Sequence, residues 1–221
     1  MHSFTEENYL KVIYHLSLLN TNPVQTNAIA EKINTRAASV TDMLRKLSEK
    51  ELIDYKKYQG VSLTEEGKAI AISIVRKHRL WEVFLVEKLD FRWDEVHEIA
   101  EELEHINSAP LVERLDSFLG FPKRDPHGDP IPDKDGVFEP SQYVQLYQLT
   151  EGSKGIIIGV SEHSPSFLKH LEKLELTIGI ELELIEVTEF DGSAELLVNK
   201  KRLSVSREVA RHILVNCKET V

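Results

Sequence analysis

The chain has 221 residues, of which 41% are hydrophobic and 29% charged, with a formal net charge of −10. That length supports a full core and two or three small domains, and the excess of acid argues against indiscriminate nucleic-acid binding. A lone cysteine, Cys217, excludes an internal disulfide, the polar start at residues 2–8 predicts no secretory leader, and no apolar run approaches the ~20 residues of a membrane span, so a cytoplasmic protein is expected.

Ser3 and Glu6 have capping-box spacing and open an expected helix over residues 3–19, with Tyr9, Ile13 and Leu16 on one face. Asn20-Thr21-Asn22-Pro23 ends it. A short helix over 26–33, a turn at Asn34-Thr35 and a helix over 37–50 follow, the last burying Val40, Met43, Leu44 and Leu47. Residues 52–58 and 61–64 alternate like two strands about Gln59-Gly60. Helices, tight turn and hairpin in this order form a winged helix-turn-helix. Three further helices are expected over 65–88, 93–106 and 110–119. Five of the eight prolines then fall in 121–140, which predicts a loop or linker. Beyond it the period drops to two, over 156–160, 180–187, 194–198 and 203–205, as in a small β-barrel.

The charge is uneven. Residues 1–76 carry 10 Lys/Arg against 9 Asp/Glu, whereas residues 77–140 carry 8 against 16, so the middle favours cations and the first segment remains free to meet phosphate. With the apolar stripe of helix 37–50 turned inward, Arg36, Ser39, Thr41, Asp42 and Arg45 face outward near its start. Residues so placed reach base edges in a major groove, and Lys56 and Lys57 in the hairpin can meet the adjacent backbone. The bland alternative is a packing unit used for protein contacts.

Two clusters of imidazole and carboxylate occupy the acidic middle: His78 and Glu82, then His97, Glu101, Glu104 and His105. At ~100° per residue the second cluster lies within one arc of a helix whose other side carries Val96, Ile99, Ala100, Leu103 and Ile106. One His–Glu pair at helical spacing is usually a solvated ion pair. Six such residues within 28 positions are harder to dismiss, and oxygen and nitrogen donors without thiolate suit Mn²⁺, Fe²⁺ or Zn²⁺. The loop from Asp125 to Gly136 has the look of a calcium loop, but its prolines and missing closing glutamate oppose that, and His127 reads as structural. Cys217, in an apolar strand, reads as a buried small hydrophobe.

The strings RKHRLxExFL, VHEIAEELEHINS, ERL and FPKxxPHGxPIP resemble the diphtheria-toxin-repressor family of metal-dependent transcriptional repressors. The likeness runs over nearly the whole chain and is strongest to three-domain manganese-responsive members. It implies a mainly α protein with a β C-terminal domain: a winged helix-turn-helix DNA-binding domain over 1–73, a helical metal-binding and dimerisation domain with a Pro-rich linker over 74–140, and an SH3-like domain over 141–221. It further implies a homodimeric repressor of metal-uptake genes rather than an enzyme, with operator DNA as partner, no small-molecule substrate and no membrane.

The same resemblance implies two ions per subunit, Mn²⁺ or Fe²⁺. The primary site falls on Asn8, Glu101, Glu104 and His105. The ancillary site falls on His78, Glu82 and His97, with Glu162 or His163 added from the SH3-like domain. Iron-responsive members carry cysteine where Glu101 stands, and a hard anionic oxygen favours Mn²⁺. Asn8 replaces the aspartate of manganese-type members and removes a charge. Lys11 stands where two-domain manganese sensors place a second carboxylate, which argues against a closely spaced binuclear site. The readings to be weighed against this one are an iron-responsive repressor of the same family, a winged-helix regulator with merely surface carboxylates, and a carboxylate di-metal enzyme. The last needs Glu-x-x-His twice, and only Glu102–His105 supplies it.

Overall fold

The computed structural model of the protein describes residues 2–19, 23–57, 59–140 and 142–217. The expected break at Asn20-Thr21-Asn22 and the strand end at Tyr58 lie outside them. The chain forms two compact units: residues 1–78, 101–113 and 132–138 make the first, and residues 79–100, 114–131 and 139–221 the second.

In the first unit helix α1 (Phe4–Leu19) starts at the expected capping box. The Ser3 amide donates to Glu6 Oε2 at 3.0 Å and the Glu6 amide to Ser3 Oγ at 3.3 Å, satisfying donors the helix start would otherwise leave bare. Helices α2 (Thr26–Lys32) and α3 (Ala37–Glu49) follow, then the hairpin of β1 (Ile53–Lys56) and β2 (Gly60–Leu63), paired antiparallel. Val40, Leu44 and Leu47 of α3 are fully buried with Leu10 and Ile13 of α1, and Met43 packs at the edge. An isolated bridge between Val24 and Val61 pins the start of the helix-turn-helix to the hairpin. Gly60 permits it: φ is +103°, and a Cβ there would meet the Val24 carbonyl oxygen at 2.7 Å.

Helix α4 (Glu65–Leu89) has the expected length. Its successors differ from expectation. Residues Trp93–Glu95 form a turn, and α5 covers only Val96–Leu103, so Glu104 and His105 stand in the turn beyond the helix end. The Arg92 amide donates to Glu95 Oε2 at 3.1 Å, and this local bond closes the turn that holds off the helix start. Helix α6 spans Ala109–Phe118.

The second unit contains a six-stranded antiparallel sheet in the order β3-β8-β4-β5-β6-β7, made of β3 (Val144–Gln145), β4 (Lys154–Val160), β5 (Glu181–Val187), β6 (Ala194–Val198), β7 (Lys201–Val205) and β8 (Ile213–Cys217). Bulges at Ile157/Gly159 and Leu184/Glu186 bend β4 and β5. Two helices, α7 (Pro165–Lys173) and α8 (Arg207–His212), cover a core of Ile157, Val160, Leu168, Leu171, Leu184, Leu196 and Ile213. Neither helix is expected from a period-two reading. Cys217 is exposed, contrary to the expected burial, because it ends β8 where the strand runs out of core.

Candidate metal centres and nucleic-acid interface

The first unit gathers a dense polar cluster from α1, α4 and the end of α5. Lys11 donates from Nζ to Glu101 Oε1 at 2.5 Å and to Glu104 Oε1 at 2.6 Å. His78 Nδ1 reaches the other Glu104 oxygen at 2.7 Å. His105 Nδ1 lies 2.6 Å from Glu7 Oε2, and the Phe4 ring stacks on the imidazole at a centroid distance of 4.6 Å. Asn107 Nδ2 donates to the second Glu7 oxygen at 3.3 Å, and Lys77 donates to Asn107 Oδ1 at 3.4 Å. Burial pulls the Lys77 ammonium below its ordinary value against the attraction of Glu7 and Glu104.

This bonding assigns tasks. His105 meets Glu7 through Nδ1, and its Nε2 stands 3.9 Å from Glu104 Oε1. A carboxylate that orients an imidazole in this way is a recurrent support of metal-binding histidines. Glu7 is thus a residue that the sequence reading missed, next to the Asn8 it named. Asn8 Oδ1 is buried without a hydrogen-bond partner. A buried carbonyl oxygen left bare costs about 1–3 kcal/mol, and a cation is the simplest way to satisfy it. Glu101, Glu104, His105 and the bare Asn8 oxygen are donors of the kind a hard divalent ion takes, and Lys11 already lies between the two carboxylates.

The second unit buries another cluster. Glu82, Asp125 and His127 each present a ligand atom within 4.8 Å of the others. Asp125 Oδ1 accepts the amides of His127 at 2.8 Å and Asp129 at 3.0 Å, which folds the Pro-rich loop back on itself. His127 Nε2 donates to the Trp93 carbonyl oxygen at 2.8 Å, leaving Nδ1 to face Glu82 Oε2 at 3.5 Å. Gly128 lets the loop lie against β4, where the Val160 amide donates to the His127 carbonyl oxygen at 2.9 Å.

The electrostatics of this cluster call for positive charge. Burial, then the charges of Glu82 and Asp129, push Asp125 up to about 7. Burial lowers His127, but its hydrogen bond to Glu82 and the charges of Glu82 and Asp125 outweigh that and raise it to about 9. Arg79 reaches Asp125 at 3.5 Å and Asp129 at 3.1 Å. Two buried carboxylates with an imidazole whose far nitrogen is fixed by a carbonyl are a donor set for a divalent cation. His127, expected to be structural, is therefore both structural and a candidate ligand. Asp125 was passed over with the calcium-loop reading.

Of the residues expected at an ancillary site, Glu82, His97, Glu162 and His163 lie in the second unit. His97 is exposed and reaches Glu82 at 3.5 Å. The His163 ring stacks on His127 at 4.8 Å, with burial lowering its pKa, and Nε2 donates to the Val160 carbonyl oxygen at 3.2 Å. Glu162 turns its carboxylate onto the Ser164 amide at 2.8 Å. His78 belongs to the first unit, on Glu104. Glu102, the carboxylate of the Glu-x-x-His alternative, is exposed.

The nucleic-acid face is simpler. Arg36, Ser39, Asp42, Arg45, Lys56 and Lys57 are all exposed, while the Thr41 hydroxyl, half-buried, donates to the Ala37 carbonyl oxygen at 2.9 Å. Arg45 and Asp42 pair at 3.4 Å on the outer side of α3.

Three segments of the chain match known families. Residues 1–61 match the family described as "Iron dependent repressor, N-terminal DNA binding domain", residues 64–133 its "metal binding and dimerisation domain", and residues 144–217 the "FeoA domain". The chain is 30% identical to the iron-dependent repressor IdeR of Mycobacterium leprae over 78% of its own length and 79% of that protein. To IdeR of Mycobacterium tuberculosis it is 35% identical over 58% of its length, spanning 55% of that relative. A "probable metal transport system membrane protein" of Chlamydia trachomatis is 37% identical over 58% of the chain and 29% of its own length. A solved manganese-dependent transcriptional repressor in complex with manganese superimposes with a TM-score of 0.86 at 35% identity, covering 96% of this chain and all of the other.

Proposed function

The chain belongs to the iron-dependent repressor family, and from that premise we propose that it is a homodimeric, divalent-metal-responsive DNA-binding repressor that answers to Mn²⁺ in preference to Fe²⁺. The observation that carries the reading is the thiolate-free set of Glu101, Glu104 and His105 gathered on α1 through Lys11 and Glu7, together with a buried Asn8 oxygen that has no hydrogen-bond partner. Asn8 and the Glu101–His105 segment hold the primary ion. Glu82, Asp125 and His127 hold the second, with His97 and His163 at its margin and Glu162 turned onto the Ser164 amide. When bound, the ion supplies a strong positive charge that gathers hard oxygen and nitrogen donors.

Residues of this chain do the rest. Glu7 fixes the His105 ring, and the donors of α1 and α5 hold the winged domain to the helical domain. The α3 helices of a dimer must stand ~34 Å apart, or a multiple, to enter successive major grooves, so a state in which α1 is fixed is the one that DNA selects. Within that reading the domains divide at 1–73, 74–140 and 141–221. Phe118, Phe121 and Leu89 are exposed in the second unit, with Phe84 against Phe118, and such an apolar surface supports the dimer. Metal-uptake genes are the expected targets, supported by the Chlamydia relative, in which a similar segment is part of a protein named for metal transport. Among the described residues no helix is long and apolar enough to cross a membrane.

Retardation of operator fragments in chelator, Mn²⁺ and Fe²⁺ tests the proposal. Retardation only with metal, strongest with Mn²⁺, is expected. Equal retardation in chelator overturns the metal response, and retardation with Fe²⁺ alone overturns the manganese assignment in favour of the iron-responsive alternative.

A further inference from the structure

We propose that Lys11 is a tethered cation that opposes metal binding and so sets the concentration at which the repressor responds. The inference rests on Glu101, Glu104 and His105 being primary ligands. Lys11 is 7% exposed and Glu104 fully buried. The ammonium sits 2.5 Å from Glu101 Oε1 and 2.6 Å from Glu104 Oε1, the same Glu104 oxygen that His105 Nε2 faces at 3.9 Å.

Two carboxylates that share one ammonium repel one another, Glu104 from a buried position and Glu101 from a side chain 37% exposed, and the charge of Lys11 is what makes their approach tolerable. An ion coordinating the same oxygens has to displace the ammonium or bind beside it. Either way it meets a like charge at a range where screening is poor. Lys11 therefore stabilises the metal-free form and weakens the metal-bound one. It also ties α1 to the end of α5 without metal, alongside the Glu7–His105 bond. A sensor built this way ignores sparse metal and reacts once the ion can outcompete its own lysine.

The test compares the full-length parent with Lys11→Met and with Lys11→Gln, which keeps a hydrogen-bonding group without the charge. Lys50→Met serves as control, because Lys50 pairs with Glu6 at 2.7 Å, outside this cluster. Mn²⁺ is titrated calorimetrically, and melting is followed in chelator and in saturating Mn²⁺. Both Lys11 variants should tighten one Mn²⁺ step by about tenfold or more, melt lower than the parent in chelator, and gain more from Mn²⁺. Lys50→Met should leave Mn²⁺ affinity unchanged. Unchanged or weaker Mn²⁺ binding in Lys11→Gln, against a parent that binds normally, overturns the inference and makes Lys11 a residue that positions the carboxylates. A parent that takes up no Mn²⁺ overturns the functional reading itself.

Discussion

Two glycines of the second unit have similar backbones and different surroundings, which allows a paired experiment. Gly128 has φ +91° and Gly152 has φ +79°, so alanine at either position must occupy the left-handed region at about 1–2 kcal/mol. At Gly152 a Cβ meets nothing within 4 Å, whereas at Gly128 it would lie 2.1 Å from the Ile158 carbonyl oxygen and 2.3 Å from the Gly159 Cα. Backbone cannot yield as a side-chain tip can, so the loop must lift from β4. That breaks the bond from the buried Val160 amide to His127, and a bared amide costs about 1–3 kcal/mol more. At roughly 2–4 °C per kcal/mol for a chain of this size, Gly152→Ala should lower the melting temperature by about 5 °C and Gly128→Ala by about 10 °C. Circular dichroism melts in chelator measure both, and equal losses would refute the seating of the loop on β4. Gly128→Ala should also weaken one Mn²⁺ step, since the loop carries Asp125 and His127.

His105→Ala should abolish metal-dependent retardation of operator DNA, because it removes both a donor and the partner of Glu7; an unchanged Mn²⁺ response would move the primary site elsewhere. His127→Ala should reduce Mn²⁺ bound per chain from two to one in equilibrium dialysis while a metal-dependent DNA response persists, and two ions retained would remove the buried cluster from the account. Arg45→Ala should weaken operator binding about tenfold in anisotropy titrations with Mn²⁺ affinity unaltered, since it stands on the exposed face of α3. Leu44→Ala, fully buried in the winged unit, should cost about 2–5 kcal/mol by urea unfolding, and a smaller loss would mean that the unit repacks.

What the sequence made legible was whatever rests on local pattern. The capping box at Ser3, the stripe of α3 and the hairpin turn at Gly60 each declare themselves within one or two turns of chain. Helix ends did not: the Arg92–Glu95 bond that delays α5 competes with a helical pattern that alone runs on to Ile106. Helix α7 was hidden because Leu168 and Leu171 fall between strands whose alternation dominates the segment. At the sites, Glu101, Glu104 and His105 were visible as a cluster because they are neighbours in sequence. Glu82 and His127 are far apart in sequence and meet only through the loop fold, and His127 is flanked by prolines that read as punctuation. Glu7 was overshadowed by Asn8 because pattern cannot show which of two adjacent side chains turns to the imidazole and which is left bare.

One residue of the loop has a reach beyond coordination. His127 offers its ring to Glu82 and Trp93 and its carbonyl oxygen to the Val160 amide, so the amide proton of Val160 is locked for as long as the ring stays in place. Its exchange with deuterated solvent becomes a local clock for the seating of the loop on β4, readable by mass spectrometry with no DNA present. Slow exchange marks a loop seated on β4 and fast exchange a lifted one, so Gly128→Ala should speed the exchange of this one proton even in chelator.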